Sequence, residues 1–296
     1  MPIPYADLHC DTAFEMYRTK QAFDLNNLAV SLNKATAYSP YMQVMAFWSD
    51  ANKSSNAAYA YTKKALRYWH KQISSVSAID FTPILAIEDA RILDERLKRL
   101  KSLHRRGIRI LTLLWKGESC IGGAYDTHIG LSRFGKEVVK LCWRLGILTD
   151  ISHASFLSTD DIFLLANKQT PIIASHSDFY SVTPHPRNLT DEHFKEIMRH
   201  NGIVGVCLCA KHLGTDATKS NGICCLLRHI EHGLSLGGED HLAFGCDFDG
   251  TETPADLSDI SCMERIADAM LSLNYSENIV RKIYFENAKR ILQYIM

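Results

Sequence analysis

The sequence lacks the features that mark linkers, membrane spans and secreted proteins. Its 296 residues contain only 8 Pro and 16 Gly, and no stretch rich in Pro, Gly or Ser divides the chain. No apolar run is long enough to predict a membrane-spanning helix. The first residues show no basic segment followed by an apolar run and a cleavage site. We therefore expect one domain over residues 1–296, in the cytoplasm and without a membrane partner.

The sequence also lacks an excess of charge of either sign and a regular cysteine framework. Lys+Arg and Asp+Glu both number 33, so we expect no nucleic-acid partner. Nine cysteines are an odd number at irregular spacings, which is typical of reduced thiols in a reducing compartment. Cys207, Cys209, Cys224 and Cys225 offer four thiols, but their spacing differs from that of the usual zinc knuckles.

Short apolar runs alternate with helix-like stretches along the chain. Hydrophobic residues make up 46% of the sequence, which is enough for a sizeable core. The apolar runs predict eight strands, which are one before Asp7 and then 41–48, 82–87, 108–114, 146–153, 171–176, 202–208 and 241–247.

Apolar residues recur at helical spacing between the runs. One stripe extends from Tyr59 to Val76, a second joins Leu93, Leu97 and Leu100, and others lie in 134–145 and 223–234. Two terminal stripes, in 263–273 and 279–291, predict extra C-terminal helices. Eight strands alternating with helices predict an α/β fold of the (β/α)8 TIM barrel type.

Metal-ligating side chains stand at the ends of the predicted strands. His153 and His176 each close a β-rich run and are predicted to be the last residue of a buried strand. His9 and Asp11 lie two apart, on one side of an extended strand. The candidates at strand ends are His9, Asp11, Glu88, His153, His176 and Asp247. Because the C-terminal strand ends meet at one mouth of a barrel, we expect a metal site there.

Each of these residues also has a purely structural explanation. A histidine at a strand end is often only hydrogen-bonded. Glu88 and Asp247 each fit a helix cap, and Arg187 fits a surface salt bridge. Six structural explanations at one barrel mouth are a less economical account than one metal centre.

The motifs in order resemble those of the renal (membrane) dipeptidase family of zinc peptidases, which have amidohydrolase-type barrels. The matching stretches are DLHCD at 7–11, IE at 87–88, GLSRFG at 130–135, DISHAS at 150–155, SHS at 175–177, HPRN at 185–188 and FGCDFDG at 244–250. Each motif is short, but seven in the right order are specific. The resemblance covers nearly the whole chain.

The resemblance implies a binuclear zinc dipeptidase, which hydrolyses dipeptides and tolerates a D-residue at the second position. His9 and Asp11 would hold one zinc ion, His153 and His176 the second, and Glu88 would bridge them. A hydroxide between the two ions would attack the peptide carbonyl, and Asp247 would accept its proton and pass it to the leaving amine. Cobalt or manganese would suit the same donors.

The resemblance also implies how substrate binds. Arg187 would pair with the free carboxylate of a dipeptide. In the membrane-bound mammalian-type members a histidine after strand four contacts the substrate carbonyl, whereas this chain has Trp115. Losing such a donor costs about 2.7 to 4 kcal/mol when nothing replaces it. We hypothesise that His128 or Lys116 in the same Gly-rich loop partly substitutes.

Two rival functions stay open from the sequence alone. The metal centre sets the hydrolytic chemistry and the loops set the substrate, so a metal-dependent amidohydrolase acting on a lactam, lactone or N-acyl amino acid has the same signature. A non-catalytic binding protein on the same barrel is the second rival. A homodimer is expected from the family resemblance.

Overall fold

The β-strands form a closed barrel in which every pair of neighbours is parallel. The structure, a computed structural model, describes residues 3–74, 80–167 and 170–296. The strands follow one another in sequence order around the barrel. They are β1 (Ile3–Cys10), β2 (Tyr38–Trp48), β3 (Phe81–Glu88), β4 (Ile108–Thr112), β5 (Leu148–Asp150), β6 (Ile172–Ala174), β7 (Ile203–Val206) and β8 (Leu242–Phe244). The predicted (β/α)8 fold is confirmed.

Helices connect the strands and extend the chain beyond β8. They are α1 (Thr12–Thr19), α2 (Ser55–Ile73), α3 (Leu97–His104), α4 (Arg133–Leu145), α5 (Phe156–Leu165), α6 (Asp191–Arg199), α7 (Ala210–Leu213), α8 (Gly222–Ser235), α9 (Met263–Ser272), α10 (Glu277–Arg281) and α11 (Asn287–Leu292). Val76, the last residue of the predicted α2 stripe, lies outside the described residues. Among the residues that the structure describes, no helix has both the length and the apolar character needed to cross a membrane.

Hydroxyl side chains begin several of these helices. Each accepts a hydrogen bond from a backbone N–H in the first turn, which has no partner within the helix itself. These capping residues are Ser54, Ser132, Ser155, Thr190 and Ser276. Helix α4 is followed directly by Gly146, whose φ of 68° suits a residue without a Cβ.

Two predicted helices are interrupted. Leu93 belongs to a 3₁₀ turn and not to α3, because Asp94 and Glu95 between them have φ values of 52° and 56°. The last stripe contains a π-helical turn, Lys282–Glu286, between α10 and α11. The apolar spacing therefore located these elements but not their breaks.

The prediction that His153 and His176 are the last residues of strands is wrong. Strand β5 ends at Asp150, whose Oδ1 accepts hydrogen bonds from the backbone N–H of Ser152 at 3.0 Å and of Ser175 at 2.8 Å. These bonds replace strand pairing, so the chain leaves the sheet there. His153 then adopts a φ of 68°, which no strand residue has. His176 likewise lies beyond β6.

The barrel interior is filled by side chains from all eight strands and is closed at its N-terminal end by the C-terminal helix. Small and branched residues such as Ala6, Val44 and Ile173 share this interior cluster with Leu292 of α11. The Asn287 side chain donates to the carbonyl of Leu242, at the start of β8, at 2.8 Å. The opposite, C-terminal end is therefore the end left open for a site.

We expect Leu292→Ala to lower the free energy of unfolding by about 2 to 5 kcal/mol, because it leaves a cavity under the barrel. Urea denaturation measures this. Tyr294→Ala is the matched control, since Tyr294 is 63% exposed and should change stability by about 0.5 kcal/mol or less. Equal effects of the two substitutions would contradict the packing of α11 against the barrel.

Candidate metal centre

Glu88, the last residue of β3, lies between the predicted histidines. Its Oε1 is 2.9 Å from His153 Nε2 and 3.6 Å from His176 Nε2, whereas its Oε2 is 3.9 Å from His9 Nε2. The two oxygens of one carboxylate thus face two different groups of donors. Glu88 is buried and does not cap the following 3₁₀ turn, since Asp89 accepts the N–H of Arg91 there.

The donors form two adjacent sets. In the first, His9 Nε2 lies 3.5 Å from Asp11 Oδ2 and 3.8 Å from Asp247 Oδ1. In the second, the Nε2 atoms of His153 and His176 are 2.9 Å apart and share Glu88. Within each set the donor atoms lie within 4.8 Å of one another, which is close enough to share one cation. All six predicted residues are therefore brought together.

Several observations fit cations at these positions. Within the described ranges, His9 Nε2 and Asp11 Oδ1 are buried without a hydrogen-bond partner, which is costly for polar atoms. A Cβ on Gly250 would collide with the carboxylates of Asp11 and Asp247, so glycine keeps this space open. Imidazole nitrogen and carboxylate oxygen are ligands for zinc, cobalt and manganese.

Hydrogen bonds behind the histidines orient their rings. His153 Nδ1 lies 3.1 Å from the carbonyl oxygen of Trp115, and His176 Nδ1 lies 2.7 Å from Ser175 Oγ. Ser175 in turn donates its hydroxyl hydrogen to Asp150 Oδ2 at 2.6 Å. A hydrogen on each Nδ1 leaves the Nε2 lone pair free for a metal.

Asp7 performs a similar task at the seam between β1 and β8. Its Oδ1 accepts the backbone N–H of His9 at 3.1 Å and of Cys246 at 3.0 Å. Asp7, Asp150 and Ser175 were missed by the sequence analysis as positioning residues. The two aspartates could have been found from the sequence, because each is a lone carboxylate within or next to an apolar run that predicts a buried strand.

The protonation preferences of the site reflect its burial. Burial raises the pKa of Glu88, and it lowers the pKa values of His153 and His176, which therefore favour the neutral form that binds metal. Burial also raises the pKa of Asp247, to about 7, and the opposing effect of His9 only partly offsets it. The surrounding carboxylates overcome burial at His9 and raise its pKa to about 10. A proton and a metal cation compete for that same lone pair.

Asp247 and His153 share an unusual backbone conformation. Asp247 has a φ of 59° and His153 a φ of 68°, in the left-handed region that side chains other than glycine seldom adopt. His153 follows the short strand β5 and Asp247 follows the short strand β8, at the mouth of the barrel. Such local strain often accompanies functional residues.

A cavity of about 620 Å³ opens above the donors. Trp115 stands on its wall, with its ring centroid 4.9 Å from that of Trp48. Arg187 also lines the cavity and is only 5% exposed, donating to Ser177 Oγ at 3.1 Å and to the His176 carbonyl at 2.9 Å. In the described part of the chain Arg187 has no carboxylate partner, so it is not a surface salt bridge.

The structure does not bring His128 or Lys116 into this cavity. Both side chains are exposed, and His128 lines a separate cavity of about 210 Å³. These positions do not support the predicted contact with substrate, because neither residue is among those that line the main cavity. Tyr125 and His212, which the sequence analysis did not single out, line the main cavity instead.

The cysteines are free, as the composition predicted. Among the described residues, no candidate metal cluster joins Cys207, Cys209, Cys224 and Cys225, and Cys224 is exposed. The four-thiol zinc site is therefore not formed.

Comparison with known proteins identifies relatives across the whole chain. The family model described as "Membrane dipeptidase (Peptidase family M19)" matches residues 2–296. An uncharacterised Klebsiella pneumoniae protein encoded in the pqqA 5′ region is 29% identical over 217 residues, which are 70% of this chain and 79% of that protein.

Two solved structures share the fold. The metallopeptidase called dipeptidase AC, of family M19, is 24% identical with a TM-score of 0.89 and covers 100% of this chain and 99% of its own. A metallopeptidase from Rhodobacter sphaeroides, bound to a phosphinate mimic of the dipeptide L-Ala-D-Ala, is 23% identical with a TM-score of 0.88 and covers 100% of both chains.

We expect Ser175→Ala to weaken metal binding roughly 10- to 100-fold, because its hydroxyl links Asp150 to His176 and supports the ligand from behind. Competition with a metal-chelating indicator measures this affinity. Ser177→Ala is the matched control, since Ser177 is equally buried but its Oγ accepts from Arg187. The orienting role of Ser175 is refuted if both variants bind metal as tightly as the unaltered protein.

Proposed function

The chain belongs to the membrane dipeptidase family, peptidase family M19, and on that premise we propose that it is a binuclear zinc dipeptidase. It is a metal-dependent hydrolase with the barrel of that family. The observation that carries the finer proposal is Glu88, whose two oxygens face His9 on one side and His153 with His176 on the other.

In this proposal two ions would share Glu88. His9 and Asp11 would hold the first zinc ion together with Glu88, and His153 and His176 would hold the second together with Glu88. Asp247, although it lies in the first donor set, would not be a ligand. When bound, two such ions polarise a carbonyl and lower the pKa of water so that it attacks near neutral pH. Cobalt and manganese are accepted by the same donors.

Asp247 moves the proton. It lines the cavity beside His9, and its pKa of about 7 lets it both accept and release a proton near neutral pH. We assign to its carboxylate the proton of the attacking water, which it then delivers to the leaving amine nitrogen. As a ligand common to both ions, Glu88 would hold the two ions close enough to act on the same peptide bond.

Arg187 selects substrates that end close to the scissile bond. Its guanidinium is buried at the cavity wall, and its Nε has no hydrogen-bond partner among the described residues. A substrate carboxylate supplies the missing anion, so a dipeptide fits where a longer chain would bring an uncharged amide. The L-Ala-D-Ala mimic in the Rhodobacter sphaeroides relative supports extending the substrate class to a D-residue at the second position.

Trp115 stands where the mammalian-type members of the family have a histidine, and its ring forms part of the cavity wall. Its carbonyl orients His153, while its ring packs against Trp48 at the cavity. We propose that the ring contacts a substrate side chain. The indole N–H is the only hydrogen-bond donor of this side chain, and we assign it to the substrate.

Three further proposals concern the whole protein. One barrel domain accounts for residues 1–296, the protein is cytoplasmic, and it forms a homodimer. The nine free cysteines support a reducing compartment, since disulfides persist in oxidising ones.

The purified protein should contain two equivalents of metal in the two donor sets and hydrolyse dipeptides, including L-Ala-D-Ala. The kcat/KM of the protein for simple lactams and lactones should be far lower, because these lack the free carboxylate that Arg187 would bind, and N-acyl amino acids, which keep this carboxylate but lack a dipeptide's ammonium group, are the closer rival in the panel. Metal analysis and a substrate panel test this. Turnover of lactones but not dipeptides would instead establish another metal-dependent amidohydrolase, and absence of metal and turnover would favour a binding protein.

We expect Arg187→Met to lower kcat/KM for dipeptides roughly 10- to 100-fold, mainly through KM, since hydrogen bonds to a charged partner contribute about 1.5 to 3 kcal/mol. The matched comparison is a dipeptide amide, which has no carboxylate. The unaltered enzyme should prefer the free acid, and the variant should lose that preference. If the variant still prefers the free acid as strongly, Arg187 does not bind the substrate carboxylate.

A further inference from the structure

A third group of metal-ligating side chains lies beside Asp247, and one of its members, His212, also lines the main cavity. Asp178 follows β6, Cys207 follows β7, and His212 belongs to α7. Their donor atoms lie within 4.8 Å of one another. The established family assignment does not explain why three such side chains converge from three segments.

Two atoms of this group are buried without partners. Asp178 is 0% exposed, and its Oδ1 accepts the backbone N–H of Cys207 at 3.1 Å, but its Oδ2 has no hydrogen bond within the described ranges. His212 Nδ1 is likewise buried and unpaired there. Within the described residues no cationic side chain lies within salt-bridge distance of Asp178, and the charge of Arg187 only partly offsets burial, which raises the pKa of Asp178. A buried carboxylate oxygen requires a partner, because it has lost its water.

The donor types indicate which partner fits. Thiolate sulfur, imidazole nitrogen and carboxylate oxygen are the ligands of zinc, whereas magnesium and calcium prefer oxygen alone. Burial lowers the pKa of His212 to about 2, so its nitrogen lone pair is not blocked by a proton. Burial raises the pKa of the Cys207 thiol, and the backbone N–H of Cys209, which donates to Cys207 Sγ at 3.4 Å, only partly opposes this, so a thiolate here requires a cation beside it.

We propose that Asp178, Cys207 and His212 bind a further divalent cation of the zinc type. Cys207 loses its thiol proton to solvent when the sulfur–metal bond forms, and the two negative ligands then balance the charge of the ion. Three protein ligands leave a fourth position for water. Cys207 Sγ lies 4.0 Å from Asp247 Oδ2, so the ion is a close neighbour of the carboxylate that moves the proton.

The test uses cobalt in place of zinc in the full-length protein. Ligands of the Glu88 centre are all nitrogen and oxygen, so only the new site gives a thiolate-to-cobalt charge-transfer band in the near ultraviolet. We expect three equivalents of cobalt with this band, and two equivalents without it in Cys207→Ser. Cys225→Ser is the matched control, because Cys225 is also buried but lies on α8, and it should keep the band.

A second variant distinguishes loss of the metal site from misfolding of Cys207→Ser. His212→Gln leaves the thiol in place and should lose the third equivalent while circular dichroism stays unchanged. Two equivalents and no band in the unaltered protein would overturn the proposal, and so would a band that survives Cys207→Ser but disappears in Cys209→Ser. None of these readouts depends on dipeptide hydrolysis, so the proposal fails or stands separately from the proposed function.

Discussion

The structure depends on compensating the charge that it buries at one end of the barrel. Glu88, Asp11, Asp247 and the imidazole of His9 lie together out of water, where an unpaired charge is far more costly than at the surface. Glu88 is the centre of this arrangement because its two oxygens face different donors. In the proposed function, cations at these donors would remove this cost and would also form the reactive centre. The same interaction therefore explains both the stability of the site and its chemistry.

The barrel provides what this constraint requires. Parallel strands deliver the ligands to one mouth, while α11 closes the other end and excludes water from the interior. Asp7 and Asp150 are buried in strands, and their carboxylates accept hydrogen bonds from main-chain N–H groups. These bonds fix the position of the backbone beside the ligands. Ligand geometry thus rests on the strands and on their immediate loops, which are more rigid than long surface loops.

Sequence patterns predicted what depends on local periodicity and missed what depends on tertiary contacts. The apolar runs located all eight strands, and the residues at their ends identified His9 and Glu88. They placed His153 and His176 within strands, because the departure from the sheet is set by Asp150 bonding to Ser175, distant in sequence. His128 was assigned to substrate from loop membership alone, and its direction depends on how that loop folds. Asp178 and His212 carried no motif, and only the folded chain brings them to Cys207.

The central proposal is that Glu88 would bind two metal ions, one with each of its carboxylate oxygens. Anomalous diffraction from crystals of the protein, recorded on either side of the zinc absorption edge, measures this directly. The account predicts two peaks roughly 3.5 to 4 Å apart, one bound by Oε2 of Glu88 with His9 and the other by Oε1 with His153 and His176. A single peak among these residues, or two peaks of which Glu88 contacts only one, would contradict it.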